Sequence, residues 1–542
     1  MHVYPTRTAA HLALAGVVAL SVGIALREPN VVAWGGAVLV GVALTRSVTL
    51  FSVMRIRNAG FEMLWPDARR VVRMTRGSTI ELRAEVRNRD TLAARYDKLR
   101  VVASPALDCV VDPPAGEVKA TGSVALTVKV RALRTGFHGI HGLALEVRGA
   151  PALFEVPLTF ANALGIEVVP RPRARMVSVP HGGKSHTVSA TGRSGTRRGD
   201  GSELRELRDI VPGDSFRRIA WKASARRGKL MARELEREER DVVALVLDAS
   251  LELWAGALGD APLDHAIDTV AALAEAHLTQ GDHVGLVIVA ARELARVPSD
   301  GGRAQGAAIT RALLEHTGVL AADRSGWDEA DVAVQVAEHL RPVDARGLRD
   351  LRRGRYDKLA ERAAAAGRDA PFARSAPDTR TTSDAVLRRY AAAFGLYGPP
   401  SLEPEKDAAY ATLVTTLLGL ARVRSTRPSI VHVVAPAPAT ERAAPLRAAV
   451  LALKKKGVAV RWSQPDLATG LGETEREPNG SHDALHDESD ARAFAANAEV
   501  FAALRGPARA RANLVAARGD ALLRSMGIKV SARRPDPRGA TA

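Results

Sequence analysis

Polar residues all but vanish from two stretches at the start of the chain. Ala9 to Leu26, "AAHLALAGVVALSVGIAL", holds nothing charged at neutral pH other than a protonated His11, and after "REPN" the stretch from Val31 to Met54 is apolar again except for Arg46. Each run is about as long as a helix needs to cross roughly 30 Å of hydrocarbon. The pattern predicts a transmembrane helical hairpin within residues 1–60, turning at "REPN" and in contact with membrane lipid. A signal peptide is one alternative, against which stand a thin basic leader and the lack of an obvious small-residue cleavage site. A pair of buried soluble helices is another, with Arg46 as its best support. Arg7, Arg55 and Arg57 flank the runs, whereas the loop has only Arg27, beside Glu28. Basic residues gather on the cytoplasmic side of spanning helices, so both ends and all that follows are expected in the cytoplasm.

The period then changes twice. Over residues 61–172, "TIELRAEVRN", "KLRVVAS", "SVALTVKVRAL" and "LALEVRG" alternate apolar and polar positions between Gly, Pro, Asp and Asn, which predicts an antiparallel, immunoglobulin-like β-sandwich. Residues 241–465 read differently. "DVVALVLDAS", "GDHVGLVIVA" and "SIVHVVAP" are continuous apolar strands, and "PLDHAIDTVAALAEAHL" and "RAAPLRAAVLALKKK" repeat at helical spacing. Continuous strands alternating with helices predict an α/β domain built on a parallel sheet covered on both faces, a Rossmann-type arrangement. Within it, nine basic and five acidic residues over 341–369, followed by the helical "DAVLRRYAAAF", predict a helical insertion at about 341–420 and a candidate partner surface. Residues 466–542 are expected to form a C-terminal helical tail.

Composition narrows the function classes. The chain of 542 residues is 46% hydrophobic and 25% charged, ordinary for a folded, multidomain protein. Its formal charge of +17 favours acidic partners. The arginines are nevertheless scattered among carboxylates, aromatics are only 4%, and no RNA-recognition, zinc-finger or homeodomain pattern is present, so no nucleic-acid partner is expected. A single cysteine, Cys109, excludes an intrachain disulfide and a cysteine-cluster metal site. His138 and His141 in "FHGIHG" read as turn histidines beside glycine, and His181 and His186 in "HGGKSH" lack a third ligand at suitable spacing.

The segment over 173–240 is the most specified. From Gly199 to Leu230, thirteen of thirty-two residues are charged, with Ile210, Phe216, Ile219 and Trp221 set among them. Pro212 and Gly213 predict a turn, Asp214 a helix cap, and Phe216, Ile219, Ala220 and Ala223 one apolar helix face that docks on the sheet. Arg205, Arg208, Arg217, Arg218, Lys222 and Arg226 alternate with Glu203, Glu206 and Asp209. Either an ion-pair network that serves folding or a docking surface fits that order.

The block "GDGSELRELRDIVPGDSFRRIAWKASARRGKLMARELEREE", Gly199 to Glu239, resembles the bacterial family called domain of unknown function 58, as do "VVALVLDAS", "GDHVGLV" and, more loosely, "RTGFHGIHGLALEVRGAPALFE". The resemblance covers roughly half the chain. It implies a von Willebrand factor A-like α/β domain, a MoxR-type AAA+ ATPase as partner, and placement in the bacterial cytoplasmic (inner) membrane as a multi-pass protein. Signature residues carried over are Arg205, Arg208, Asp214, Arg217, Trp221, Lys222 and Arg226. Domains of the von Willebrand A type often hold Mg²⁺ through Asp-x-Ser-x-Ser with a distant Thr and Asp. This chain has Asp248 and Ser250, but Glu252 replaces the second Ser, "SDGGRAQGA" supplies no Thr, and "HVVAPAPAT" supplies no Asp. Mg²⁺ is therefore expected to bind weakly or not at all, and no other cofactor is expected.

The function these readings favour is non-enzymatic: a membrane-anchored protein-interaction module that assists a MoxR-type ATPase in assembling or maturing an envelope complex. A divalent-metal-dependent adhesion or ligand-binding module is the alternative. No Gly-x-Ser-x-Gly, His-Glu-x-x-His or phosphate loop supports a hydrolase.

Overall fold

The computed structural model describes residues 4–59, 61–66, 70–91, 93–148, 153–171, 193–212, 214–239, 241–254, 259–315, 327–341, 344, 346–368, 370, 372, 381–396, 405–423, 427–438, 440–465 and 514–530. A two-residue strand, β1 (Tyr4–Pro5), precedes helices α1 (Arg7–Leu26) and α2 (Pro29–Ala59). Strands β2 (Phe61–Leu64), β3 (Val71–Thr75), β4 (Thr79–Asn88), β5 (Ala94–Ala103), β6 (Leu107–Asp112), β7 (Gly116–Val118), β8 (Ser123–Ala132), β9 (Gly136–Arg148) and β10 (Phe154–Val169) follow. Next come β11 (Arg193–Asp209), α3 (Trp221–Arg227), β12 (Met231–Glu239), β13 (Val242–Asp248), α4 (Pro262–Thr279), β14 (His283–Val289), β15 (Glu293–Asp300) and α5 (Gly302–Glu315). The described elements end with α6 (Glu329–Leu340), α7 (Arg346–Arg352), α8 (Tyr356–Gly367), α9 (Thr382–Ala393), α10 (Glu405–Arg422), β16 (Ile430–Val434), α11 (Ala443–Lys455), β17 (Ala459–Ser463), α12 over residues 514–525 and β18 (Lys529–Val530). Contacts divide it into two compact units, Met1–Val169 with Gly318–Pro400, and Pro170–Thr317 with Ser401–Ala542.

In the first unit, α1 and the Pro29–Phe51 part of α2 are long and apolar enough to cross a membrane, which agrees with either an anchor or a signal sequence. They approach closely at glycine: a Cβ on Gly35 would lie 2.6 Å from the backbone nitrogen of Leu20. Leu14, Val18, Trp34, Leu44 and Phe51 remain exposed around the pair.

The β-rich region forms two sheets that share one core. One runs β1-β10-β9-β5-β7 with β3 beside β10, the other β2-β4-β8-β6. Alternation works as the sequence implies: Leu126, Val128, Val130 and Ala132 of β8 face inward against Ile140 and Leu143 of β9 and Ile166 and Val168 of β10. The expected all-antiparallel pairing needs one correction, since β3 runs parallel to β10 with Val71 opposite Gly165. Alternation reports which face is buried and leaves strand direction open.

Helices α6 to α9 build a small core of Val332, Val336, Leu340, Leu359, Leu387, Tyr390 and Phe394. They belong to the same unit as the sandwich. A Cβ on Gly139 of β9 would lie 2.9 Å from the Phe394 ring, and the Ser104 hydroxyl donates to the Phe394 carbonyl. The helical region therefore begins before residue 341. The expected end near 420 is also displaced, because α10 lies in the second unit, where Leu413, Leu417 and Leu420 pack into the sheet core.

The second unit holds the β11–β12 hairpin and a six-stranded sheet in the order β15-β14-β13-β16-β17-β18. Its strands are parallel except β15, which runs antiparallel at one edge. β13 is buried along its whole length, as expected for a strand covered on both faces. Ala244 and Val246 point toward α10 and α11, so Val243, Leu245 and Leu247 point the other way, where α4 crosses β13. The described end of the supposed tail is no tail: α12 contributes Leu523 to this core and β18 pairs with β17.

Candidate functional site

Strand order reverses at β13, with β14 on one side and β16 on the other, and ligands of such sheets lie beyond the carboxyl ends of the strands at that reversal. Asp248 is the last residue of β13, and the residue is 8% exposed. Its Oδ1 accepts the backbone N–H of Ser250 at 2.8 Å, so the side chain braces the loop that leaves the strand. Ser250 is buried. Glu252 falls in a short 3-10 turn, Leu251–Trp254, with its side chain outside the described residues. Opposite, β16 runs out into Ala435 and the "PAP" of 436–438. The contact between Asp248 and Ser250 thus runs through the Ser250 backbone amide. Among the described residues no group of three or more His, Cys, Asp or Glu side chains is arranged to hold a metal.

The signature segment forms the tip of the β11–β12 hairpin. Asp209 pairs with Met231 as the last rung of the ladder, and residues 210–230 make the excursion. Two expectations are overturned here. Asp214 does not cap a helix: its two oxygens accept Nη1 and Nη2 of Arg208 at 2.8 and 2.7 Å, and one also accepts the amide of Val211 at 2.8 Å. The cap of the short 3-10 turn Phe216–Arg218 is Ser215. Nor do Phe216 and Ile219 share a buried face. A helical wheel assumed one helix, but the backbone is extended at Ile219, which bridges to Ala232 before α3 starts at Trp221. Ile219 is 3% exposed and Phe216 80% exposed.

The remaining signature residues are placed as follows. Arg205 lies in β11 with its side chain outside the described residues. Arg208 also faces Glu234 of β12 at 3.6 Å, a partner the sequence reading missed. Arg217, Lys222 and Arg226 are exposed, and Trp221 is 61% exposed. Ser224, passed over in the sequence, fastens α3: its hydroxyl donates to Ala220 O at 3.0 Å and accepts from Met231 N at 2.8 Å. A serine between Ala223 and Ala225, four residues after Ala220, is the available signal.

Two further groups of buried histidines occur among the described residues. His138 and His141 lie within β9, not in a turn. The ring of His141 packs against His339 of α6 at 5.9 Å and Phe394 at 4.9 Å between centroids. Burial pushes the His141 imidazole down to about 4, and burial with the neighbouring His141 does the same to His339. In the second unit, His277 Nδ1 lies 2.7 Å from Asp282 and its Nε2 3.3 Å from His432 Nε2. These are core contacts between helix and strand. His181 and His186 lie outside the described residues. Burial, with Asp108 nearby, pushes the Cys109 thiol up to about 12, which keeps it protonated and unreactive.

A model of the family described as "Protein of unknown function DUF58" matches residues 206–351, from the end of β11 to α7, and supports the resemblance to that family. No curated protein matches the chain. Among solved structures, the ASH/PapD-like domain 7 of human CEP192 is 16% identical over 20% of this chain and 86% of its own, with a TM-score of 0.16. WR4, an MSP family member of C. elegans, is 11% identical over 20% of this chain and 94% of its own, with a TM-score of 0.14. The secreted serine protease VesC of Vibrio cholerae is 10% identical over 22% of this chain and 25% of its own, with a TM-score of 0.16.

Proposed function

We propose that the chain is a membrane-anchored, non-enzymatic protein-interaction module of the DUF58 type, whose von Willebrand A-like domain holds another protein at the crest beyond β13 and β16. The partner is a MoxR-type AAA+ ATPase, and the task is assembly or maturation of an envelope complex at the bacterial cytoplasmic membrane, with the folded units on the cytoplasmic side. The observation that carries this reading is the bond from Ser250 N to Asp248 Oδ1 at 2.8 Å. The bond holds the Asp248 carboxylate against its own loop and so gives the crest beyond β13 a set shape for a partner to read. The sheet order, with one antiparallel edge strand and an Asp-x-Ser loop after the central strand, supports the von Willebrand A-like assignment. The convergence of Asp248 and Ser250 is what favours the second reading, a divalent-metal-dependent adhesion module.

Cross-linking of the full chain in native membranes, followed by mass spectrometry, tests the proposal. A MoxR-type ATPase should be captured by the unaltered chain and lost in Pro438→Arg, which places a long cation on the crest. Equal capture by both would remove the crest from the interaction.

A further inference from the structure

We infer that the tip of the β11–β12 hairpin, residues 210–230, docks on an anionic phospholipid surface through Phe216, Trp221 and the basic residues around them. The tip presents large apolar side chains to solvent: Phe216 is 80% exposed, Trp221 61%, Val211 54% and Leu230 48%. Desolvating these groups is favourable, and exposed apolar side chains grouped on one surface mark a site of protein or membrane interaction. Arg217, Lys222, Arg226, Arg227 and Lys229 are exposed on the same tip. Its lone carboxylate, Asp214, is held by the Arg208 fork. The surface is therefore cationic and aromatic together.

The bilayer is the partner this chemistry fits best. Tryptophan settles at the level of lipid headgroups and phenylalanine at the boundary of headgroup and acyl chain, while lysine and arginine above them are drawn to anionic lipids within a Debye length of the surface. The same chain carries two helices long and apolar enough to cross a membrane; the inference rests on the membrane anchoring proposed above, which would keep a lipid surface at high local concentration. Protruding rings on a hairpin tip suit a soft interface that yields around them. The tip is also rigid enough to present them in register. Its base is closed by Ile210 N donating to Leu230 O at 3.1 Å, by the Ile219–Ala232 bridge, and by Ser224 between Ala220 and Met231. Little conformational entropy is then lost when the rings insert.

Hydrogen exchange of the full chain in nanodiscs tests the inference, with phosphatidylcholine alone in one set and phosphatidylcholine mixed with phosphatidylglycerol in the other. Amides of residues 214–230 should exchange more slowly in the anionic discs than in the neutral ones. That protection should be lost at high salt, lost in Phe216→Ala/Trp221→Ala, and lost in Arg217→Glu/Lys222→Glu/Arg226→Glu. Unchanged exchange in β13 and β16 in every variant certifies the fold. Equal exchange in both kinds of disc overturns the inference. So does protection that appears only on adding soluble cell extract and ignores lipid charge, because the partner is then a protein.

Discussion

Asp248 Oδ1 accepts the amide of Ser250 at 2.8 Å at the end of the central strand, with both residues buried. The carboxylate closes a turn where the chain must leave the sheet without another strand to satisfy its N–H. Hydrogen bonds to charged groups contribute about 1.5 to 3 kcal/mol, so Asp248→Ala is expected to destabilise the second unit by that amount. Mg²⁺ wants near-octahedral oxygen geometry and sheds water reluctantly. Calorimetric titration with Mg²⁺ or Mn²⁺ should accordingly give no micromolar binding. A micromolar dissociation constant that disappears in Asp248→Ala would move the metal-dependent adhesion reading to first place.

Ile219 and Phe216, three residues apart, should behave oppositely. Ile219 is 3% exposed and bridges to β12, so Ile219→Ala should cost about 2 to 5 kcal/mol. Phe216 is 80% exposed, and Phe216→Ala should stay within about 0.5 kcal/mol of the unaltered chain. Denaturant melts of the two variants decide it, and equal losses would mean that the tip packs in solution.

Much of this architecture is legible in the sequence, because burial imposes a period. β8 alternates since one face meets the sandwich core, and β13 is apolar throughout since helices cover both faces. The tip resists such reading. The spacing of Phe216, Ile219, Ala220 and Ala223 matches a helix, yet the chain makes a 3-10 turn, an extended residue and a new helix in that space. Ile219 is held by a strand twelve residues away in sequence, and Asp214 by an arginine on β11; neither partner leaves a local period. The histidines of "FHGIHG" mislead for the same reason, as the helices that bury His141 lie about two hundred residues further on.

Arg208 stands between two carboxylates. It makes a bidentate pair with Asp214 at 2.7 and 2.8 Å and faces Glu234 at 3.6 Å. Arg208→Ala leaves those carboxylates close together without a cation, so it should cost more than Asp214→Ala, for which about 1 to 3 kcal/mol is expected. A double-mutant cycle with exchange of the 210–230 amides as readout checks the order. Equal single-variant losses would mean that Glu234 takes no part.

The sandwich and the α6–α9 helices meet over two neutral histidines, and acid should loosen them. Neither ring nitrogen of His141 nor Nε2 of His339 has a hydrogen-bond partner among the described residues. The groups facing them are Phe394, Tyr390 and each other, with the Tyr390 hydroxyl 2.9 Å from His339 Nδ1. Burial lowers both imidazoles from the ordinary 6.5 to about 4. In the unfolded chain they take up protons at the ordinary value, so their contribution is complete above about pH 6.5 and is lost progressively as pH falls toward 4. At roughly 1.36 kcal/mol per pKa unit, the loss approaches about 3 kcal/mol for each ring. Carboxylates titrate near the lower end of that window, so the measurement is a comparison. Amide exchange in β9 and α9 of the full chain should accelerate between pH 7 and pH 5, and do so much less in His141→Leu/His339→Phe. The same acceleration in that variant would show that other groups carry the acid response.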